Sequence, residues 1–239
     1  MVKWDTLWPG GLTFAFDDGP FKPSTDTFLL GGFAAPRPRD RVCDLGAGIG
    51  LLGLLLLGRQ PSIRVTDIDI DPAACALAEE SFAQNGLTGH TVLRADLRQR
   101  QELPPAGSFD MVVSNPPYFA ADSGAVAAGQ RGAARSEVTC TLAELCGAAS
   151  YLLRSGGQLC LVYRAARLAE LMALLRSYKL EPKELQTVQK TIDTPPRLVL
   201  LRCRKDGGTG LDIRPPLLLQ KGDGSESEAL GRCYFRDRE

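Results

Sequence analysis

Apolar residues come in short bursts along this chain, and several bursts end on an acidic residue or an asparagine. Arg41-Val42-Cys43 leads to Asp44, Ile63 to Ile68 leads to Asp69, Thr91 to Arg94 leads to Asp96, and Met111-Val112-Val113 leads to Asn115. Runs this short, rich in β-branched residues and bounded by turn formers, predict buried strands. Between them the pattern lengthens into helix. Leu51 to Leu57 follows a glycine loop, and Ala73 to Phe82 follows Asp71-Pro72, an N-cap acid with proline in the first turn. Thr141 to Leu153 has helical periodicity, and Arg154-Ser155-Gly156-Gly157 reads as its basic last turn and glycine stop. Gln158 to Tyr163 predicts a fifth strand and Ala165 to Leu175 another helix. Glu184 to Lys190 and Leu198 to Cys203 alternate as an antiparallel pair. Leu12 to Phe16 predicts a small N-terminal strand or hairpin, and the Gly, Ser and Glu of residues 220–229 a flexible loop. Strands alternating with helices define an α/β protein. The expected sheet is seven-stranded and mostly parallel, with helices on both faces and an antiparallel terminal pair.

Composition narrows this without changing it. A chain of 239 residues, 44% hydrophobic, can bury one large core. We therefore expect one domain over residues 1–239: a cover over 1–40, a catalytic core over 41–205 and a C-terminal extension over 206–239. No charged-then-apolar leader opens the sequence, and Leu51 to Leu57 is too short to span a bilayer. Seven cysteines, without a Cys-x-x-Cys, speak against a disulfide framework or a zinc site and for a cytoplasmic protein. Cys43, Cys160 and Cys203 sit in apolar runs as core residues. The single histidine, His90, makes a metal centre or a histidine-based triad an unsuitable reading, so no metal is expected. Net charge is zero, but unevenly spread. Residues 1–130 carry 10 basic and 15 acidic side chains, and residues 151–210 carry 11 and 5. The basic excess, which includes Arg202, Arg204 and Lys205, suits phosphate contacts.

The chemistry concentrates at the strand ends. Asn115-Pro116-Pro117-Tyr118 suits the methylation of a planar amino group, whose delocalised lone pair makes it a poor nucleophile. The Asn115 side-chain oxygen and the Pro116 carbonyl can accept the two N–H bonds, and Tyr118 offers a face for stacking. Consecutive prolines stiffen the loop. Gly46, Gly48 and Gly50 form a loop tighter than the dinucleotide-binding spacing, which suits S-adenosylmethionine with its amino-acid tail and no phosphate. Asp44 can meet the ammonium of that tail. Asp69 follows near the ~20-residue separation at which an acid grips ribose hydroxyls. Asp71 is explained as a helix cap. Asp96 and the Leu97 N–H can meet the cofactor's adenine, although Asp96 also fits as a cap of a short helix. In an open parallel sheet these ends line one crevice.

Together these motifs resemble the amino-group branch of the class I S-adenosylmethionine-dependent methyltransferases, which implies a Rossmann-like sheet. The resemblance narrows at Phe21 to Leu30, at Asn115 to Phe119 with Ala134-Arg135-Ser136-Glu137, and at Arg204 to Gly208 with Pro215-Pro216-Leu217. There the chain is similar to tRNA (adenine-37 N6)-methyltransferases acting on valine tRNA. Ser136 stands where that family often has histidine. The resemblance implies a tRNA partner, an anticodon-loop adenine as target, and Thr25 and Asp26 bordering the methionine end of the cofactor. It implies neither a membrane nor an obligate protein partner. The N-terminal hairpin is expected to cover the cofactor. Two other readings remain open: a protein glutamine-N5 methyltransferase, and an RNA-binding relic that has lost catalysis. The start of the first strand near residue 41 speaks against the former, which uses a separate N-terminal helical domain.

Overall fold

The computed structural model describes residues 1–17, 22–116 and 140–238. β1 (Lys3–Thr6) and β2 (Thr13–Phe16) form an antiparallel hairpin. There follow α1 (Thr25–Phe33), β3 (Arg41–Leu45), α2 (Leu51–Arg59), β4 (Arg64–Asp69), α3 (Pro72–Gln84), β5 (His90–Arg94) and β6 (Phe109–Ser114). Next come α4 (Leu142–Leu152), β7 (Leu153–Arg164), α5 (Leu168–Ser177), β8 (Leu180–Gln189) and β9 (Leu198–Lys205). The short β10 (Asp212–Ile213), β11 (Leu217–Leu218) and α6 (Glu228–Cys233) complete the order.

The main sheet runs β10-β8-β9-β7-β6-β3-β4-β5. β5, β4, β3, β6 and β7 are mutually parallel, and β9 enters antiparallel between β7 and β8. The seven expected strands are all present. Among the described residues the sheet counts nine because β10 and β11 both pair with the edge of β8, a detail that two-residue strands hide from any periodicity. Alternating strand residues feed two cores. Val42, Val65, Met111, Val113 and Val162 face α1, α2 and α3, while Cys43, Ile68, Val112, Leu161 and Tyr163 face α4 and α5. Burial on both faces explains why these strands read as continuous apolar runs.

Three expectations are corrected. Residues 154–157 are not a helix stop but the opening of β7. Phe109 pairs with Leu153 and Met111 with Gln158, so residues 154–157 bulge out opposite Asp110, whose carboxylate takes Arg154 Nε at 2.6 Å. Gly156 at φ +75° permits the bulge, and a Cβ on Gly157 would lie 2.9 Å from the Arg154 carbonyl. Second, residues 220–229 are not a flexible loop. Gln220 bridges Glu226, and Ser227 caps α6 by accepting from the Leu230 N–H while donating to the Leu218 carbonyl. α6 presses against α1, where a Cβ on Gly32 would come within 2.6 Å of Cys233 Sγ. Arg59 donates to the carbonyls of Arg232 and Cys233, and Tyr234 stacks on Phe28 with centroids 4.1 Å apart.

Third, the hairpin does not lie across the sheet ends. It packs along α3: Asn85 exchanges hydrogen bonds with the Thr13 backbone, and Ser81 Oγ accepts from Ala15 N–H. β2 thus ascends from the C-terminal end of α3 toward its N-terminal end. His90 is structural, as expected. Its ring stacks on Phe82 at 3.7 Å, and burial pulls its pKa below the usual value.

Candidate active site

Because β6, β3, β4 and β5 are neighbours and parallel, their carboxyl ends place Asn115, Asp44, Asp69 and Asp96 along one rim. The loop after β3 turns through Gly46, Gly48 and Gly50, each at positive φ (77°, 55° and 72°), a region costly for residues with a Cβ. Gly46 and Ala47 donate to the Ile68 carbonyl at 2.8 and 3.0 Å, which pins the loop to the end of β4. A Cβ on Gly46 would meet nothing within 4 Å, so this part of the loop faces open space.

Asp44, at the end of β3, is 1% exposed, and its Oδ2 is buried without a hydrogen-bond partner. Burial, and then the neighbouring Asp69 carboxylate, push its pKa well above the usual carboxylate range. An unpartnered buried acid beside an open glycine loop fits the ammonium of an amino-acid tail, because a cation would relieve both causes at once. Asp69 is half-buried and built into the loop: Oδ2 accepts from Gly48 N–H at 2.7 Å and Oδ1 from Asp71 N–H at 2.9 Å. Each oxygen keeps a lone pair for a hydroxyl. Asp71 is the α3 cap the sequence suggested, accepting from Ala73 and Ala74.

The Asp96 carboxylate is held by Arg98, with Nε at 2.9 and 3.0 Å and an Nη at 2.7 Å, and these bonds pull its pKa down. Its backbone N–H donates to Glu102. Any base amino group it receives must share that oxygen pair with Arg98. Leu97 packs half-buried against the α4–α5 core.

Asn115 and Pro116 follow β6 directly, Pro116 being buried. Asn115 Nδ2 donates to Thr27 Oγ1 at 2.9 Å and lies 3.4 Å from Ser24 Oγ. The first turn of α1 therefore stands beside the loop. Thr25 is exposed there and accepts from the Tyr234 hydroxyl at 3.1 Å, and Asp26 is half-buried. Tyr118, Phe119 and residues 134–137 lie outside the described residues.

Four further residues contribute, none of which the motifs single out. Ser114 is fully buried and donates from Oγ to the Leu45 carbonyl at 2.7 Å, tying β6 to the start of the glycine loop. Ile70 follows Asp69 with 40% of its surface exposed, an apolar flank for a flat group. Ser24 and Thr27 carry no signal in the motif itself, since only the fold brings them to Asn115. The basic residues singled out at the end of β9 divide differently. Arg202 is enclosed by Glu184, Gln158 and the Phe33 carbonyl, and Lys205 Nζ donates to the Ser150 and Leu153 carbonyls. Only Arg204 is exposed. Among the described residues no group of three or more His, Cys, Asp or Glu could hold a metal ion, and no helix is long and apolar enough to cross a membrane.

A protein of Porphyromonas gingivalis named tRNA1(Val) (adenine(37)-N6)-methyltransferase is 33% identical over 198 residues, covering 80% of this chain and 77% of its own. One of the same name from Dickeya chrysanthemi is 29% identical over 240 residues, covering 95% of this chain and 94% of its own. Among solved structures, Atu636 of Agrobacterium tumefaciens, described as a predicted O-methyltransferase, superimposes with a TM-score of 0.72. It is 23% identical and covers 88% of this chain and 95% of its own, a likeness of fold. The family model of the methyltransferase small domain matches residues 23–180, more than half of the chain, and takes in α1, the glycine loop and the Asn115 loop. The chain belongs to the methyltransferase small domain family.

Proposed function

We propose that this protein is an S-adenosylmethionine-dependent methyltransferase that modifies N6 of adenine in tRNA, at position 37 of valine tRNA. The observation that carries it is the pairing of a buried carboxylate lacking a partner, Asp44, with an amide, Asn115, at the carboxyl ends of adjacent parallel strands β3 and β6. The relatives that cover most of the chain supply the substrate class.

S-adenosylmethionine, when bound, supplies a methyl group made electrophilic by its sulfonium. Asp44 would hold the ammonium end and Asp69 the ribose hydroxyls, while Ile70 would flank the base and the Leu97 N–H meet its ring. Thr25 and Asp26 border the methionine end. Asn115 Oδ1 and the Pro116 carbonyl accept the two N–H bonds of the target amine. That turns the nitrogen lone pair out of the ring plane and leaves it free to attack. Methylation makes the nitrogen acidic, and water takes the proton, so no strong base is needed. Positioning and polarisation carry the rate. Tyr118 is assigned the stacking face. An unpaired loop adenine also spares the cost of extracting a base from a duplex.

The deciding experiment supplies labelled S-adenosylmethionine with an unmodified valine tRNA transcript, followed by nucleoside analysis. N6-methyladenosine at position 37, lost in Asn115→Ala at saturating cofactor, is the expected result. Label appearing in protein instead of RNA would refute the substrate assignment.

A further inference from the structure

An asparagine can accept the hydrogens of an amine only if its oxygen, not its nitrogen, points at them. The two orientations differ by a half-turn of the terminal amide, a soft torsion with no strong preference of its own. In the wrong one, N–H faces N–H and the target is repelled. Something must therefore choose, and at Asn115 the choice is visible. Nδ2 is the atom turned toward α1, 2.9 Å from Thr27 Oγ1 and 3.4 Å from Ser24 Oγ. Oxygen and nitrogen occupy opposite edges of the amide, so Oδ1 is directed away from α1.

The helix end is arranged to receive a donor. A bare helix N-terminus offers backbone N–H groups, which would attract the oxygen edge. Here Ser24 caps α1 and takes the Thr27 N–H at 3.3 Å, and the two hydroxyls lie 3.0 Å apart. What faces Asn115 is thus a pair of hydroxyls, whose oxygens accept from Nδ2. The platform is stiff, because Phe28, Leu29 and Leu30 are buried directly behind it and Tyr234 bonds to Thr25 beside it.

We propose that Thr27, seconded by Ser24, is a positioning residue that fixes the amide polarity of Asn115. This rests on the reading of Asn115 as an acceptor of the target amine. The contacts of Thr27 run to Ser24 and to Asn115 Nδ2. It acts through Asn115, so removing its hydroxyl leaves binding intact and slows the chemical step.

The test is single-turnover methyl transfer to an unmodified valine tRNA transcript at saturating S-adenosylmethionine. Rates are normalised to the fraction of chains that bind S-adenosylmethionine by calorimetry, so misfolded chains lower the stoichiometry and not the rate per site. Thr27→Val keeps the shape and removes the hydroxyl. It should lower kcat roughly 10- to 100-fold, the scale of a misplaced reacting group, with the RNA KM and the cofactor Kd unchanged. Thr27→Ser should restore the rate, and Thr27→Ala should match Thr27→Val. Combining Thr27→Val with Asn115→Ala should be no slower than Asn115→Ala alone, because both act through one group. A wild-type kcat in Thr27→Val beside a crippled Asn115→Ala would overturn the positioning role, and so would losses that multiply in the double variant. A wild-type rate in Asn115→Ala would instead overturn the reading of the site itself.

Discussion

Asp67→Asn should stabilise the protein at neutral pH, and the gain should vanish in acid. Asp67 lies in β4, 1% exposed, with both carboxylate oxygens buried and unpartnered. It is wedged under α2: a Cβ on Gly53 would sit 2.7 Å from Oδ1, and one on Gly50 2.9 Å from Oδ2. Burial, then Asp44 opposite it on β3, then Asp69 raise its pKa well above the usual range. The folded chain therefore keeps a proton that the unfolded chain releases above about pH 3.9. Stability contributed by this group is complete below that value and declines as pH rises toward the folded pKa. At pH 7 the penalty can reach at most about 4 kcal/mol, since one pH unit is worth about 1.4 kcal/mol. Asparagine has the same outline and never ionises, so it removes the penalty. Its extra N–H without an acceptor returns about 1–3 kcal/mol of it. The net gain at pH 7 is therefore at most about 1–3 kcal/mol, shrinking to a loss near pH 4. Urea unfolding of cofactor-free protein at pH 4, 5.5 and 7 measures this directly, cofactor being left out because binding would add its own stabilisation. Stability curves for wild type and variant that run parallel across this range would refute the reasoning.

Two further outcomes concern the cofactor. Asp69→Ala should weaken S-adenosylmethionine binding by about 1.5–3 kcal/mol, the scale of hydrogen bonds to a charged acceptor, and Asp71→Ala should cost about 1 kcal/mol of stability through its lost cap; titration and thermal melts showing the reverse would exchange their roles. Burial and Asp69 raise the Asp44 pKa in the free protein, and an ammonium beside it would draw that pKa back down, so binding should release a proton and strengthen as pH rises toward the raised pKa. Calorimetry in buffers of different ionisation enthalpy counts that proton, and an unchanged count in Asp44→Asn would remove Asp44 from the tail site.

What the sequence revealed is what one strand or one helix end can carry alone. Asp44, Asp69, Asp96 and Asn115 each close an apolar run, and Asp71-Pro72 announces α3, so the rim could be drawn before the fold was seen. The bulge at residues 154–157 could not, because its cause is Asp110 on a neighbouring strand, and a basic residue before two glycines looks locally like a helix stop. Ser227 was hidden in a Gly- and Ser-rich stretch, where composition outweighed one capping hydroxyl. Arg202 and Lys205 counted as surface charge until their partners on α1, α4, β7 and β8 appeared. The same distance in sequence concealed the hydroxyl pair beside Asn115.

The bond from Tyr234 to Thr25 spans 209 residues of chain, and that separation has a meaning in time. During synthesis at ~5–20 residues per second, roughly 10–40 s pass between the emergence of the first turn of α1 and of the ring that braces it. The strands that carry the rim are made long before. A growing chain should therefore be able to hold cofactor yet be unable to use it, so that catalysis begins only once residue 234 has been added. Released chains ending after residue 216 or after residue 238 can be compared for cofactor binding and methyl transfer. Equal transfer by the two would show that the brace is dispensable. Binding by both with transfer only by the longer would mean that a helix made long after the rim is also what starts the enzyme.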